Sequence, residues 1–211
     1  MKGSLLLLPG MLCLLLSCGP GPGDGTEKVE PANRDTLQPA SPEPLSSLYP
    51  GVDISPMDMC YYPVDYPKLK MAKSTEAPPK ARVIYSRPHL QGRNLFPDIL
   101  QFNEPWRLGA NESTELQLFG DATVKGKKIP AGRYILYCIP TAEKWTFVFN
   151  SNTDTWGLQQ DVSKDIARIE VPSTRSSQRM EYFSMVFEPN AEGADLLMAW
   201  DTIEVRLPFK F

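Results

Sequence analysis

The chain has 211 residues, 21 of them proline. This is about twice the usual proline content and disfavours a mostly helical protein, because proline breaks helix interiors. The 22 basic and 25 acidic side chains give a formal net charge of -3, without the basic excess typical of nucleic-acid-binding proteins. A single histidine excludes metal sites that need two or more imidazole ligands.

The first eighteen residues have the pattern of a lipoprotein export signal. Lys2 precedes an apolar run from Leu5 to Leu16, which is shorter than the roughly 20 residues of a membrane-spanning helix. The run ends in Leu-Leu-Ser-Cys, which is similar to the bacterial lipobox, in which the cysteine carries lipid. We therefore predict a signal peptide over residues 1–17 and lipidation of Cys18. The alternative is an ordinary signal peptide that is cleaved elsewhere.

A segment rich in proline and glycine follows, over residues 18–56. Between residues 19 and 56, 13 of 38 residues are glycine or proline. Such a composition buries too little apolar surface to fold, so we expect a disordered tether. Residues 57–79 are more apolar, but their four prolines exclude a long helix. We predict a partly ordered extended arm there.

From residue 80 to residue 211, short alternating runs separated by turn residues predict β-strands. No window has a sustained helical period. The spacing is typical of an all-β domain, an antiparallel β-sandwich or flattened barrel of eight to nine strands. The predicted strands are Arg82–Arg87, Thr114–Phe119, Ala122–Val124, Arg133–Ile139, Trp145–Asn150, Ile166–Val171, Glu181–Glu188, Leu196–Trp200 and Thr202–Leu207.

Two cysteines, Cys60 and Cys138, remain in the mature chain beyond the lipidated one. An oxidising envelope permits a disulfide between them, but their spacing does not assign the pairing. Cys138 lies in an apolar strand pattern, where buried free thiols are common. Both states stay open, and two free thiols are favoured.

The candidate ligand-binding residues lie in the long connection between the first two predicted strands and at the end of the first of these strands. Loops longer than about 12–15 residues are usually functional or disordered, and the apolar residues of this one favour order. Arginine forks suit carboxylates and phosphates, and an indole suits the wall of a pocket for an anionic or sugar-like ligand. The alternative is that these polar side chains bind the loop to the sandwich. The candidates are Arg87, Arg93, Trp106, Arg107, Asn111 and Glu112.

Catalytic signatures are weak, and no catalytic residue is predicted. His89 is the only imidazole, and neither Ser86 nor Ser113 lies in a nucleophile elbow. Glu104 and Glu112 form a carboxylate pair by residue type alone. A carboxylate-dependent envelope hydrolase that uses loop 88–113 is therefore the alternative to a non-enzymatic binding module. No metal or other cofactor is expected. We expect three tryptophans in the core or at its ends: Trp145, Trp156 and Trp200.

Three phrases in a fixed order resemble one known family. They are Tyr-Ser-Arg-Pro-His-Leu-Gln-Gly-Arg at 85–93, Trp-Arg-Leu-Gly-Ala-Asn-Glu-Ser-Thr at 106–114 and Gly-Lys-Lys-Ile-Pro-Ala-Gly-Arg-Tyr at 126–134. With the residues that follow them, they resemble an envelope family of Bacteroidota described as a domain of unknown function, DUF2911. The resemblance extends from about Ala81 to Phe211 and implies the cell envelope, but no activity. Gln91 departs from the lysine usual there.

The sequence thus predicts a lipid-anchored envelope protein with one β domain. We expect it at the outer membrane, with the periplasmic face favoured over the cell surface. The predicted partners are the membrane, through the anchor, and a small anionic or glycan ligand or an envelope protein. Nucleic acid is not expected.

Overall fold

The computed structural model describes residues 54–211. Within them, nine antiparallel strands form one continuous sheet in the order β1-β2-β3-β6-β7-β8-β9-β4-β5. The signal peptide, Cys18 and most of the predicted tether lie outside the described residues. The strands are β1 Met57–Tyr62, β2 Ala81–Ser86, β3 Glu115–Leu118, β4 Ala122–Val124, β5 Lys127–Ile129, β6 Gly132–Pro140, β7 Lys144–Asn150, β8 Asp165–Pro189 and β9 Gly193–Lys210.

The 25-residue strand β8 folds this sheet into two layers. Residues 165–172 pair with β7, whereas residues 173–189 pair with β9. The β8–β9 ladder shifts register twice, and such irregularities let a strand bend. Aromatic side chains meet between the layers, with ring centroids 5.8 Å apart for Tyr85 and Phe183 and 6.2 Å apart for Phe149 and Phe209. The prediction of an all-β antiparallel sandwich is confirmed.

The core is rich in aromatic side chains, because successive side chains of a strand point to opposite faces of the sheet and the aromatic ones share the inner face. On β7, Trp145, Phe147 and Phe149 point to one face and are all buried. Trp200 is also buried, as predicted. The prediction for Trp156 is wrong, because its side chain is 58% exposed in the loop after β7. Outside a strand, no pleat directs that indole towards the core.

Two strands lie where no strand was predicted. β1 falls in the predicted arm, and it pairs with β2 from Met57↔Ser86 to Tyr62↔Ala81 as an edge strand. β5 forms a hairpin with β4 around Lys125 and Gly126, which both have positive φ, as two-residue hairpin turns require.

Helical structure in the described part of the chain is limited to three short pieces. α1 spans Tyr66–Met71, with a proline in its first turn, where the missing N–H is harmless. A distorted turn covers Leu95–Ile99, and a 3₁₀ turn covers Val162–Lys164. None of these helices is long and apolar enough to cross a membrane.

Both described thiols are free. Cys60 lies on β1 and Cys138 on β6, which are three strand spacings apart, or roughly 14 Å. A disulfide needs Cα atoms within about 7 Å, so the two cysteines cannot pair in this fold. Burial raises the pKa of Cys60 to about 12 and that of Cys138 well above its ordinary value.

Candidate functional site

The connection between β2 and β3 is ordered and packs across one end of the sandwich. Its first residues run beside β8, where Phe183 N donates to Pro88 O at 2.9 Å and Leu90 N donates to Glu181 O at 3.1 Å. Its last part joins β6 through two backbone hydrogen bonds, of 2.7 and 2.9 Å, between Trp106 and Cys138. Four buried leucines hold the connection against the core: Leu90, Leu95, Leu100 and Leu108.

A cavity of about 370 Å³ lies beneath this connection, a size typical of small-molecule sites. Four separate parts of the chain line it: residues 54–55, the connection itself, residues 157–158 and Trp200. Among the described lining residues, none is an aspartate or a glutamate. The side chains that give it its chemistry are His89, Arg93, Ile99, Trp106, Arg107 and Leu158.

The Trp106 indole forms a fixed aromatic wall of this cavity. It stacks on Trp200 with ring centroids 5.5 Å apart and meets Phe183 edge-on at 4.9 Å. Its Nε1 donates to Gly109 O at 3.1 Å. Because the ring is packed and its only donor is satisfied, Trp106 presents an apolar surface in one orientation.

Arg107 is the unusual polar group of the cavity. Its Nη1 atom is buried and has no hydrogen-bond partner among residues 54–211. Burial lowers the pKa of Arg107, and the charge of Glu112 partly opposes this shift. A buried donor without an acceptor destabilises a fold by about 1–3 kcal/mol. An acceptor bound in the cavity would remove that cost.

Gly157 allows the close packing of Arg107. Its φ is +81°, and a Cβ placed there would lie 3.2 Å from Arg107 Cβ, 3.3 Å from Arg107 Cδ and in collision with Ser113 Oγ. Only glycine fits both the conformation and the space. The loop after β7 therefore fixes one side of the cavity through a residue without a side chain.

His89 is the second unsatisfied group of the cavity. Within the described part of the chain, its buried Nε2 has no hydrogen-bond partner. Its Nδ1 lies 3.9 Å from Glu181 Oε1, which is too long for a hydrogen bond, and its ring stacks on Tyr182 at 5.0 Å. No role was predicted for His89, and its place in the phrase at 85–93 was the one signal in the sequence that marked it.

Neither candidate serine serves His89 as a nucleophile. Ser86 Oγ donates to Ala110 O and accepts from Ala110 N at 2.9 Å. Ser113 Oγ donates to Thr155 O at 2.7 Å. Both hydroxyls hold loop backbone in place.

The structure brings together only some of the six candidate ligand-binding residues. Arg93, Trp106 and Arg107 line the cavity. Arg93 also donates to Leu90 O at 2.9 Å and His89 O at 3.1 Å, so it braces the loop as well.

Arg87, Asn111 and Glu112 do not line this cavity. The guanidinium of Arg87 donates to Phe183 O, Ser184 Oγ and Asp58 Oδ2 at 2.9–3.2 Å, which is the structural role considered as the alternative. Asn111 is a loop residue with φ +62°, a conformation that asparagine tolerates. Glu112 lines a different cavity.

The carboxylates of the loop do not form a pair in this cavity. Asp98 Oδ2 accepts from Asn94 N at 2.8 Å within the loop, and Glu104 is exposed. A hydrolase of the predicted kind needs two carboxylates across one cleft. That alternative stays a prediction. Across residues 54–211, no group of three or more His, Cys, Asp or Glu side chains is placed to hold a metal ion.

A family model described as "Protein of unknown function (DUF2911)" matches residues 67–209, which is more than half of the chain. The chain belongs to this family. The DUF2911 match starts earlier than the expected Ala81 and contains His89, Arg93, Trp106 and Arg107, whereas the cavity residues 54–55 precede it. No curated protein and no solved structure matches the chain. The description of DUF2911 names no activity, so a functional proposal depends on the geometry of the site.

Proposed function

We propose that this DUF2911 protein binds a small organic anion in the cavity beneath the β2–β3 connection. One observation carries the proposal. The two buried side-chain nitrogens without partners, Arg107 Nη1 and His89 Nε2, belong to the same cavity, whose described lining contains no carboxylate. A carboxylate or phosphate group accepts a hydrogen bond from Arg107 Nη1 and neutralises the arginine, and it accepts a second from His89 Nε2 in the tautomer that carries a proton there.

The rest of the lining favours an anion that carries an apolar part. Trp106, Ile99 and Leu158 offer apolar surface beside the two donors. A neutral sugar would satisfy the donors but leave the guanidinium charge without a counterion in a partly desolvated site. An inorganic anion has no apolar part to cover these three side chains, so they would stay in contact with water.

The proposal places this binding module in the cell envelope. The lipobox-like Leu-Leu-Ser-Cys18 and the proline-rich segment after it support a lipid anchor, a tether and a position at the outer membrane, with the periplasmic face favoured. Metabolic labelling with radioactive palmitate tests the anchor. We expect label in the wild-type protein and none in Cys18→Ser, with Cys13→Ser as the matched control. Label in both variants would contradict lipidation at Cys18.

Calorimetric titration of the full chain tests the binding proposal. The probes are hexanoate, hexyl phosphate and the neutral 1-hexanol. At least one anion should bind about tenfold more tightly than the alcohol, because hydrogen bonds to charged groups contribute about 1.5–3 kcal/mol. Arg107→Gln should weaken anion binding by about tenfold or more.

Arg206→Gln is the matched control, because Arg206 lies on β9 and forms ion pairs only with Glu188 and Glu204 among the described residues. This variant should bind both anions as the wild type does. If hexanol binds as tightly as the anions, or if the two arginine variants behave alike, the proposal fails.

A further inference from the structure

A second cavity, of about 390 Å³, adjoins the first. The two cavities share Ile54 and His89 as lining residues, so they lie side by side. The other described residues of the second wall are Pro56, Arg87 and Tyr182. Each cavity alone has the size of a small-ligand site.

The second cavity differs from the first in charge. Arg87 is its only arginine among the described residues, and that guanidinium already bonds to Asp58, Phe183 and Ser184. The ion pair with Asp58, at 3.2 Å, balances its charge. Apart from His89, which the two cavities share, the remaining wall is aliphatic and aromatic and offers little to a second anionic group.

Two largely apolar side chains that line the second cavity are exposed to solvent. Ile54 is 64% exposed and Tyr182 is 44% exposed. Contiguous exposed apolar surface beside a cavity is typical of binding sites. Ile54 and Pro56 precede the DUF2911 match, so this part of the wall comes from the segment that enters the domain.

We infer that the ligand is a long amphipathic acid of the fatty-acid class, with its acid group in the first cavity and its hydrocarbon chain over Ile54, Pro56 and Tyr182. This inference rests on the proposed function, which supplies the site for the acid group. Charge complementarity supports the assignment. Arg107, with its unsatisfied nitrogen, lines only the first cavity, whereas Pro56 and Tyr182 line only the second.

The length of the ligand's hydrocarbon chain is the variable that tests the inference. Hexanoate, decanoate, decyl phosphate and the neutral 1-decanol are titrated into the full-length protein by calorimetry, below their micelle concentrations or solubility limits. The comparison of decanoate with decyl phosphate identifies the acid group. Full burial of a methylene is worth about fourfold in affinity. Because the second cavity is open, we expect decanoate to bind at least tenfold more tightly than hexanoate.

Two variants remove the proposed site of the hydrocarbon chain without changing a side chain that lines the first cavity. Pro56→Ser and Tyr182→Ser should each reduce the advantage of decanoate by about threefold or more, with hexanoate affinity unchanged. Tyr182 stacks on His89, so Pro56→Ser is the cleaner variant. Ile166→Ser is the matched control, because Ile166 is 50% exposed on β8 and lines neither cavity.

The outcomes separate this inference from the proposed function. Hexanoate binding that depends on Arg107, without any gain from the longer chain, overturns the inference and leaves the proposed function intact. A gain from the longer hydrocarbon chain that survives Pro56→Ser and Tyr182→Ser also overturns it. Equal binding of decanoate and 1-decanol overturns both, because the site then has no preference for an acid.

Discussion

Arg87 and Arg107 stand near the two ends of the same loop, yet their surroundings are opposite. Arg87 belongs to a seam between β1, β2 and β8, formed with Asp58, Phe183 and Ser184, and its guanidinium has a partner on each side. Arg107 has a buried nitrogen without a partner. In the seam, the hydrogen-bond donors of Arg87 have acceptors, and these bonds stabilise the fold. In the cavity, Arg107 has a buried donor that lacks an acceptor. Such local violations are typical of functional sites, which often reduce stability.

Gly157→Ala should cause the largest loss of stability, because Gly157 packs against Arg107 at the wall of the cavity. The alanine would combine an unfavourable φ of +81° with collisions against Ser113 and Arg107, so we expect a loss of about 3 kcal/mol in unfolding free energy. Urea denaturation measures the loss. Gly126→Ala is the matched control, with φ +80° and no atom within 4 Å of the added Cβ, and should lose about 1–2 kcal/mol. Equal losses would show that the packing around Arg107 is loose.

Replacing each arginine by methionine tests the comparison directly. Arg87→Met should lower the unfolding free energy by about 1–2 kcal/mol, because Asp58 and the carbonyl of Phe183 lose their donors. Arg107→Met should leave stability unchanged or raise it by up to about 1 kcal/mol, because a buried unsatisfied donor disappears. Urea denaturation of both variants without ligand measures the difference. A greater loss for Arg107→Met would reverse the comparison.

The smallest expected effect is the pH dependence of stability that comes from Cys60 on β1, whose thiol is partly buried. Burial, with a smaller contribution from the Asp58 charge, raises its pKa from 9.0 to about 12. The raised pKa contributes stability that is complete below pH 9 and is lost as the pH rises towards 12, because the unfolded chain releases this proton first. Denaturation from pH 8 to 11 should show a decline that is shallower in Cys60→Ala.

Alkylation gives a second measurement of the same thiol. Iodoacetamide at pH 8 should modify Cys60 much more slowly in the folded protein than in urea, because the reactive thiolate is suppressed. Equal rates would mean that β1 opens readily at the edge of the sheet.

Local alternation predicted the strand-rich part of the fold and placed the ends of β2, β3, β4, β6 and β7 within one residue, but it did not predict the length of β8 and β9. Eight to nine strands were predicted and nine are described, but the similar numbers result from differences that offset one another. Ile166–Val171 and Glu181–Glu188 are two parts of β8, and the last two predicted strands are both parts of β9. β1 and β5 were not predicted, because flanking prolines and a lysine-rich turn obscured them.

The cavity was only partly predictable because four distant parts of the chain build it. Arginine and tryptophan types pointed to Arg93, Trp106 and Arg107 within one loop. Nothing local connects that loop with Ile54, which lies in a proline-rich segment, or with Gly157. Periodicity describes one element at a time, whereas a cavity depends on which elements meet.

The length of β8 has a consequence for how the domain comes apart. Because residues 165–172 of this continuous strand belong to one layer and residues 173–189 to the other, separating the layers must distort the strand where they meet and expose the core side chains of both. Opening of either layer therefore spreads along the shared strand to the other. The central amide protons of both layers should then exchange with similar free energies of opening, as in one cooperative unit.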